Sequence, residues 1–151
     1  FSLGLCYYDG LGVAQDYVRA AVWYTKAAMQ GHVGAQLNLG NCYFSGLGVA
    51  KEVAMGVYWY TQAANQGYAL AQNNLGVCYK NGQGVPQDYT QASHWFTKGA
   101  EQGIAEAQFN LAVCYKYGDG VPKDLEKAEE LFTKAAVQGI LEAKVELGEC
   151  K

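Results

Sequence analysis

The stretch Ala71-Gln72-Asn73-Asn74-Leu75-Gly76-Val77-Cys78-Tyr79-Lys80-Asn81-Gly82-Gln83-Gly84-Val85-Pro86-Gln87-Asp88 contains a complete helix, its stop signal and the start of a second helix. Apolar or small residues at 71, 75, 78 and 79 follow the i, i+4, i+7, i+8 spacing of an amphipathic helix. Asn81-Gly82-Gln83-Gly84 ends it, because glycine supplies the left-handed backbone of a helix C-terminus and turn. Asp88 follows as an N-cap whose carboxylate can accept orphan backbone N–H groups. A second helix then places Tyr89, Ala92, Phe96 and Ala100 on one face and stops at Gly103.

Outward from this stretch, the pattern repeats every 36 residues. That step links Cys6, Cys42, Cys78, Cys114 and Cys150, and Leu3, Leu39, Leu75, Leu111 and Leu147. It links Gly4, Gly40, Gly76 and Gly148, with Ala112 as the one substitute, and Tyr7, Tyr43, Tyr79 and Tyr115. The turn pairs Gly10/Gly12, Gly46/Gly48, Gly82/Gly84 and Gly118/Gly120 follow it, as do Trp23, Trp59 and Trp95, with Leu131 in the fourth copy. The cap and stop recur at Asp16/Gly31 and Asp124/Gly139. The second copy departs, with Glu52 for the cap aspartate and Gly56 for a helical alanine, so its second helix is expected to be the least stable. Strand alternation appears nowhere. Two short helices cannot bury their apolar faces alone, so neighbouring repeats must stack into one continuous core. Alanine at 27, 28, 63, 64, 100, 135 and 136, with Gly40 and Gly76, allows close helix approach; aromatics at 24, 43, 60, 79, 96, 115 and 132 fill the space.

Composition agrees. Half of the 151 residues are apolar and 17% are charged, which argues against disorder. A formal charge of −3 argues against a nucleic-acid partner, which calls for a basic stripe. No apolar run reaches the roughly 18 residues of a membrane helix, so direct membrane insertion is not expected. The chain opens without an initiator Met, which is compatible with a signal segment upstream.

The pattern Leu-Gly-x-x-Tyr-x-x-Gly-x-Gly-Val, then Asp, then Trp-Tyr/Phe-x-Lys-Ala-Ala-x-Gln-Gly, resembles the Sel-one-like repeat (SLR) family. These are relatives of the tetratricopeptide repeats, whose unit has 34 residues. The resemblance covers the whole chain. It implies an all-α fold, a right-handed α/α superhelical solenoid of 36-residue repeats. The expected organisation is a single solenoid over 1–151, with a partial unit 1–32, full units 33–68, 69–104 and 105–140, and a partial unit 141–151. Both ends fall inside a first helix with no polar capping unit, so a longer array is expected, or self-association through the uncapped ends. The resemblance implies a protein-binding scaffold or adaptor with a protein or peptide ligand. A self-assembling or purely structural array is the alternative, and a β-lactam-binding enzyme of the kind linked to some relatives is a remote one.

The residues that might carry chemistry read as structural. Equivalent positions of stacked helices lie roughly 8–10 Å apart, beyond the 7 Å or so between Cα atoms that a disulfide spans. With no Cys-x-x-Cys and only His32 and His94 as nitrogen ligands, no metal and no cofactor are expected. Some relatives are secreted and joined by cysteine pairs within a unit, but one cysteine per unit cannot form that pair. Unpaired thiols favour a reducing, cytoplasmic compartment. The tryptophans read as packing residues and His94 as a solvated side chain. Ser-x-x-Lys, His-Glu-x-x-His, the Walker loop and Gly-x-Ser-x-Gly are all missing, and no enzyme activity is expected.

What remains is a column on the first helix of each repeat: Phe1, Leu5, Tyr8; Leu37, Asn41, Phe44; Asn73, Val77, Lys80; Phe109, Val113, Lys116. It varies where the framework repeats, and much of it is apolar. In related solenoids this helix lines the concave side. The expected partner-binding residues there are Tyr8, Leu37, Asn41, Phe44, Asn73, Val77, Lys80, Phe109, Val113 and Lys116, with the two lysines favouring an acidic element.

Overall fold

A computed structural model of the chain describes residues 1–150, with side chains through 148, so the Cys150 thiol and Lys151 lie outside the described residues. Among the described residues the chain is all helix, with no strand: α1 (Ser2–Asp9), α2 (Tyr17–Met29), α3 (Val33–Ser45), α4 (Val53–Asn65), α5 (Ala69–Asn81), α6 (Tyr89–Glu101), α7 (Ala105–Tyr117), α8 (Leu125–Val137) and α9 (Leu141–Cys150). Odd-numbered helices are the first helix of a repeat and even-numbered ones the second.

The boundaries have local causes. Gly10, Gly46 and Gly118 end their helices in the left-handed region, and each donates its N–H to the Cys6, Cys42 or Cys114 carbonyl. Asp16, Asp88 and Asp124 cap α2, α6 and α8 by accepting from the Arg19, Gln91 and Lys127 amides, each at 3.1 Å. Glu52, one methylene longer, makes no side-chain cap bond at α4.

The helices form two compact units: residues 1–71 with 83–85, and 72–82 with 86 onward. In the first, Ala20, Tyr24, Ala28, Ala35, Leu39 and Cys42 form a buried cluster. In the second, Ala92, Phe96, Ala100, Ala107, Leu111 and Cys114 do so. Each member of the second cluster lies 72 residues, two periods, beyond its counterpart in the first. A further cluster joins Ala112, Ala128, Phe132, Ala135 and Ala143. Tyr89, which the spacing puts on the same face as Ala92, Phe96 and Ala100, is 39% exposed. It is the first residue of α6, and its carbonyl lies against Gly120.

The second glycine of each turn pair has a role beyond the turn. A Cβ on Gly48 would collide with the Tyr17 carbonyl, and one on Gly120 with the Tyr89 carbonyl. On Gly84 it would lie 2.9 Å from a Val57 methyl and 3.0 Å from the Val53 carbonyl. These turns therefore rest on the N-terminus of the second helix one repeat earlier. At Gly12 nothing lies within 4 Å.

Three of the cysteines belong to the core, and Cys6 is partly buried. Cys42, Cys78 and Cys114 are each 1% exposed. Burial pushes the Cys78 thiol up to about 11. Burial also takes Cys114 to about 11, partly opposed by Lys80 and reinforced by Asp119. The Cys42 thiol is raised by burial as well.

Three outcomes follow from this packing. Both Gly12 and Gly120 have positive φ, at 74° each. Gly12→Ala should cost about 1 kcal/mol, the left-handed penalty alone, whereas Gly120→Ala adds a backbone collision and should cost about 3 kcal/mol; urea melts of the two variants measure the difference. Glu52→Asp should restore the missing cap and stabilise by about 1 kcal/mol in the same assay. Finally, Cys78 and Cys114 should resist thiol reagents at pH 8 until the chain unfolds. Because their folded pKa is raised, the unfolded state releases its thiol protons first, from about pH 8.5. Stability should fall as pH rises from there towards 11, and Cys78→Ala should reduce that slope.

Candidate interaction faces

In the first compact unit the first-helix column is only partly free. Leu37 is 8% exposed and belongs to the core. Phe1, Leu5 and Tyr8 are half-buried against the cluster around Tyr24. The Tyr8 ring meets Tyr17 edge-on at 5.1 Å, and Phe44 lies 5.8 Å from the Tyr60 ring. Asn41 is exposed, and its Oδ1 accepts from the Tyr60 hydroxyl at 2.6 Å.

Tyr8 and Asn41 share one concavity. A recess of about 210 Å³ is lined by Leu5, Tyr8, Asp9, Tyr24, Asn38 and Asn41. Burial raises the Tyr8 pKa, with smaller contributions from Cys42, Tyr17 and Asp9. Burial likewise raises Tyr24, although a hydrogen bond from Asn38 works against it. Both phenols therefore stay protonated at neutral pH. The recess offers aromatic walls, amide groups that can donate and accept, and one carboxylate. Those are groups suited to an extended polypeptide, whose backbone alternates N–H and C=O.

In the second compact unit the column is more fully used by its neighbours. Val77 packs against the Phe96 cluster, and Phe109 and Val113 against the Phe132 cluster. The Phe109 and Phe132 rings lie 5.6 Å apart. Asn73 accepts from the Asn110 amide at 3.1 Å. Lys80 is half-buried. Lys116 is paired with Glu146 of α9, so the acidic element expected opposite it is one the chain itself supplies.

The other reactive side chains have structural contacts. His32 caps α3, its Nδ1 accepting from the Ala35 amide at 3.1 Å, with Phe1 stacked 4.3 Å away. His94 is exposed and lies edge-on to Trp95. The Ser93 hydroxyl donates to the Thr90 and Gly120 carbonyls. Among the described residues no three His, Cys, Asp or Glu side chains are grouped to hold a metal, and no helix is long and apolar enough to cross a membrane.

Sequence reasoning missed one feature, a glutamine ladder. The Gln66 amide donates to Gln36 Oε1 at 2.9 Å, Gln102 to Gln72 at 2.8 Å and Gln138 to Gln108 at 2.8 Å. Gln66 and Gln138 also reach the Gly31 and Gly103 carbonyls. The acceptor glutamines are buried. The signal was available, since both glutamine positions follow the 36-residue step, but periodic polar residues are easily taken for solvated ones.

The repeat architecture has counterparts among solved structures. A Sel1 repeat protein from Oxalobacter formigenes is 36% identical, with a TM-score of 0.92, over 99% of this chain and 61% of that one. A protective antigen present in uropathogenic Escherichia coli strains, which displays an SLR fold, is 35% identical, with a TM-score of 0.70, over 98% of this chain and 39% of that one. Cysteine rich protein B of Helicobacter pylori shares the fold at 22% identity and a TM-score of 0.66, over 85% of this chain and 92% of that one. The chain thus spans 61% and 39% of the length of the first two. A comparison with curated proteins finds no match. The Sel1 repeat model matches residues 1–32, 33–68, 69–104 and 105–140. With the all-α solenoid class shared throughout and each of those repeats matched in register, the chain belongs to the Sel1 repeat family.

Proposed function

We propose that this chain is a non-catalytic scaffold that binds a segment of a partner protein on its first-helix face, with the Tyr8–Asn41 recess as the principal contact. Sel1 repeat proteins are generally protein-interaction scaffolds, and the fold is typically non-catalytic. The observation that carries the finer reading is the recess itself. It brings together three column residues, Leu5, Tyr8 and Asn41, with aromatic surface, amide groups and the Asp9 carboxylate in one concavity. Half-buried aromatics beside directional polar groups are the usual makings of a binding hot spot, because desolvation and orientation are partly settled before the ligand arrives.

The partner segment is extended rather than bulky, since about 210 Å³ holds one or two side chains and no more. A ligand selected from a random peptide library against the full chain provides the probe. Tyr8→Ala with Asn41→Ala should weaken it by about tenfold or more at unchanged helical content. A Lys144→Ala variant, at an exposed position on α9, serves as the control and should leave affinity unchanged. Equal affinity of the double variant and the parent would remove the recess from the binding face.

A further inference from the structure

The two counterpart clusters differ at several packing residues: Asn73 and Lys80 stand two periods after Phe1 and Tyr8, and a further difference lies on the second helix of the following repeat. In the first compact unit the Trp59 indole packs against the cluster of Ala20, Tyr24, Ala28, Ala35, Leu39 and Cys42. Two periods later the same cluster positions recur as Ala92, Phe96, Ala100, Ala107, Leu111 and Cys114, and the packing residue there is Leu131. Leucine lacks the bulk of an indole. The difference appears as a cleft of about 270 Å³ between α6, α7 and α8, with Ala100, Leu111, Tyr115 and Leu131 among its lining residues. The chain thus carries the same slot twice, once filled by its own tryptophan and once open.

The rim of the open slot is also different. Lys134 stands where Lys26 and Lys98 stand in their repeats, and those two hold their ammonium groups 4.6 and 5.0 Å from the centroids of the Trp23 and Trp95 rings. Lys134 has the leucine three residues before it instead, and pairs with Glu130 at 3.1 Å. The Trp59 Nε1–H is buried without a hydrogen-bond partner. Around Leu131, by contrast, Glu101 and Glu130 line the cleft, where Met29 and Tyr58 hold the corresponding places two periods earlier. The open slot therefore has an apolar floor for a ring, a cation for its face and carboxylates able to accept an indole N–H.

We propose that this cleft receives a tryptophan side chain of a partner polypeptide. The filled counterpart shows the ring that the slot accommodates and shows it presented from a polypeptide backbone. The charged rim, Glu101, Lys127, Glu130 and Lys134, gives the flanking backbone of the partner groups to meet. The slot shares no residue with the first-helix columns, so the two sites stand or fall separately.

The test uses the full chain with 13C-labelled leucine methyls, titrated with Ac-Ala-Ala-Trp-Ala-Ala-amide, its leucine counterpart, and free indole. The tryptophan peptide should shift the Leu111 and Leu131 methyl signals saturably, and bind about fivefold or more tighter than the leucine peptide, given the added ring area and the Lys134 contact. Leu131→Trp should keep its helical content, melt at higher temperature and lose the response at Leu111. Lys134→Gln, at an exposed position, should weaken the peptide severalfold and keeps the test valid should Leu131→Trp fail to fold. Absence of a saturable shift, equal binding of the two peptides, or an undiminished response in a folded Leu131→Trp would overturn the proposal. Free indole binding as tightly as the tryptophan peptide would also overturn it, by assigning the slot to a small aromatic molecule.

Discussion

The pairing of the two helices in a repeat depends on the approach of an aromatic ring to a helix backbone where a glycine leaves no Cβ. An added Cβ would lie 2.7 Å from the Tyr60 ring at Gly40, 2.6 Å from Phe96 at Gly76 and 2.8 Å from Tyr24 at Gly4. Each ring comes from the second helix of a repeat and rests on the first. The consequence is burial that a helix pair this short could not otherwise reach: Phe96 is fully buried and Tyr24 is 1% exposed. A large side chain removed from water contributes about 2–3 kcal/mol, and it does so here without lengthening either helix. The fourth repeat varies the arrangement, with Ala112 joined to Phe132 in one fully buried cluster.

Within each compact unit, turn glycines connect one repeat to the next, while a glutamine ladder joins the two helices of each repeat and, through Gln66 and Gln138, reaches the Gly31 and Gly103 carbonyls of the repeat before. The turn glycines at 48, 84 and 120 set a backbone loop against the start of the preceding second helix. The glutamine ladder then joins the end of one second helix to the start of the first helix 30 residues before it, at 2.8–2.9 Å. A buried amide left unpaired costs about 1–3 kcal/mol, so the ladder contributes chiefly by excluding misregistered stacking. A slip of one residue would orphan the Gln36, Gln72 or Gln108 amide in a dry interface. Apolar packing supplies the attraction, and the polar ladder specifies the register.

Much of this fold was legible because its causes are local and repeated. The Asp16, Asp88 and Asp124 caps, the left-handed Gly10, Gly46 and Gly118, and the buried thiols all correspond to residues readable at the 36-residue step. Tyr89 shows that helical periodicity assigns a face but not an end: it lies on the apolar stripe, yet as the first residue of α6 it is exposed. Leu37 shows the complementary difficulty. It sits on the column expected to be open, yet it is buried, because a column opposite one neighbouring helix can face another. The recess at Tyr8 was half legible: Leu5, Tyr8 and Asn41 were on the column, whereas Asp9, Tyr24 and Asn38 join them only through the packing of α1, α2 and α3. The glutamine ladder was invisible to an apolar count, since it is polar and buried at once.

The breaks in the period divide into two physical kinds. Glu52 for aspartate and Gly56 for alanine weaken α4 locally, and Gly56 is explained by its neighbours: a Cβ there would lie 3.0 Å from the Phe44 ring and 3.1 Å from the Gly40 carbonyl. The break at Leu131 is of the other kind. The equivalent cluster accepts an indole two periods earlier. Its surroundings change in concert, with charged Glu101, Lys127, Glu130 and Lys134 where Met29, Met55, Tyr58 and Gln62 stood. An apolar hole ringed by charge is a poor solution for stability alone, because a leucine leaves dispersion contacts unmade and the charges contribute little at an exposed rim. It is a good solution for recognition, where an empty, preformed, partly desolvated slot lowers the reorganisation needed to bind a ring. A framework that repeats so closely makes such local departures readable as sites, provided that each is first tested against what its neighbours require.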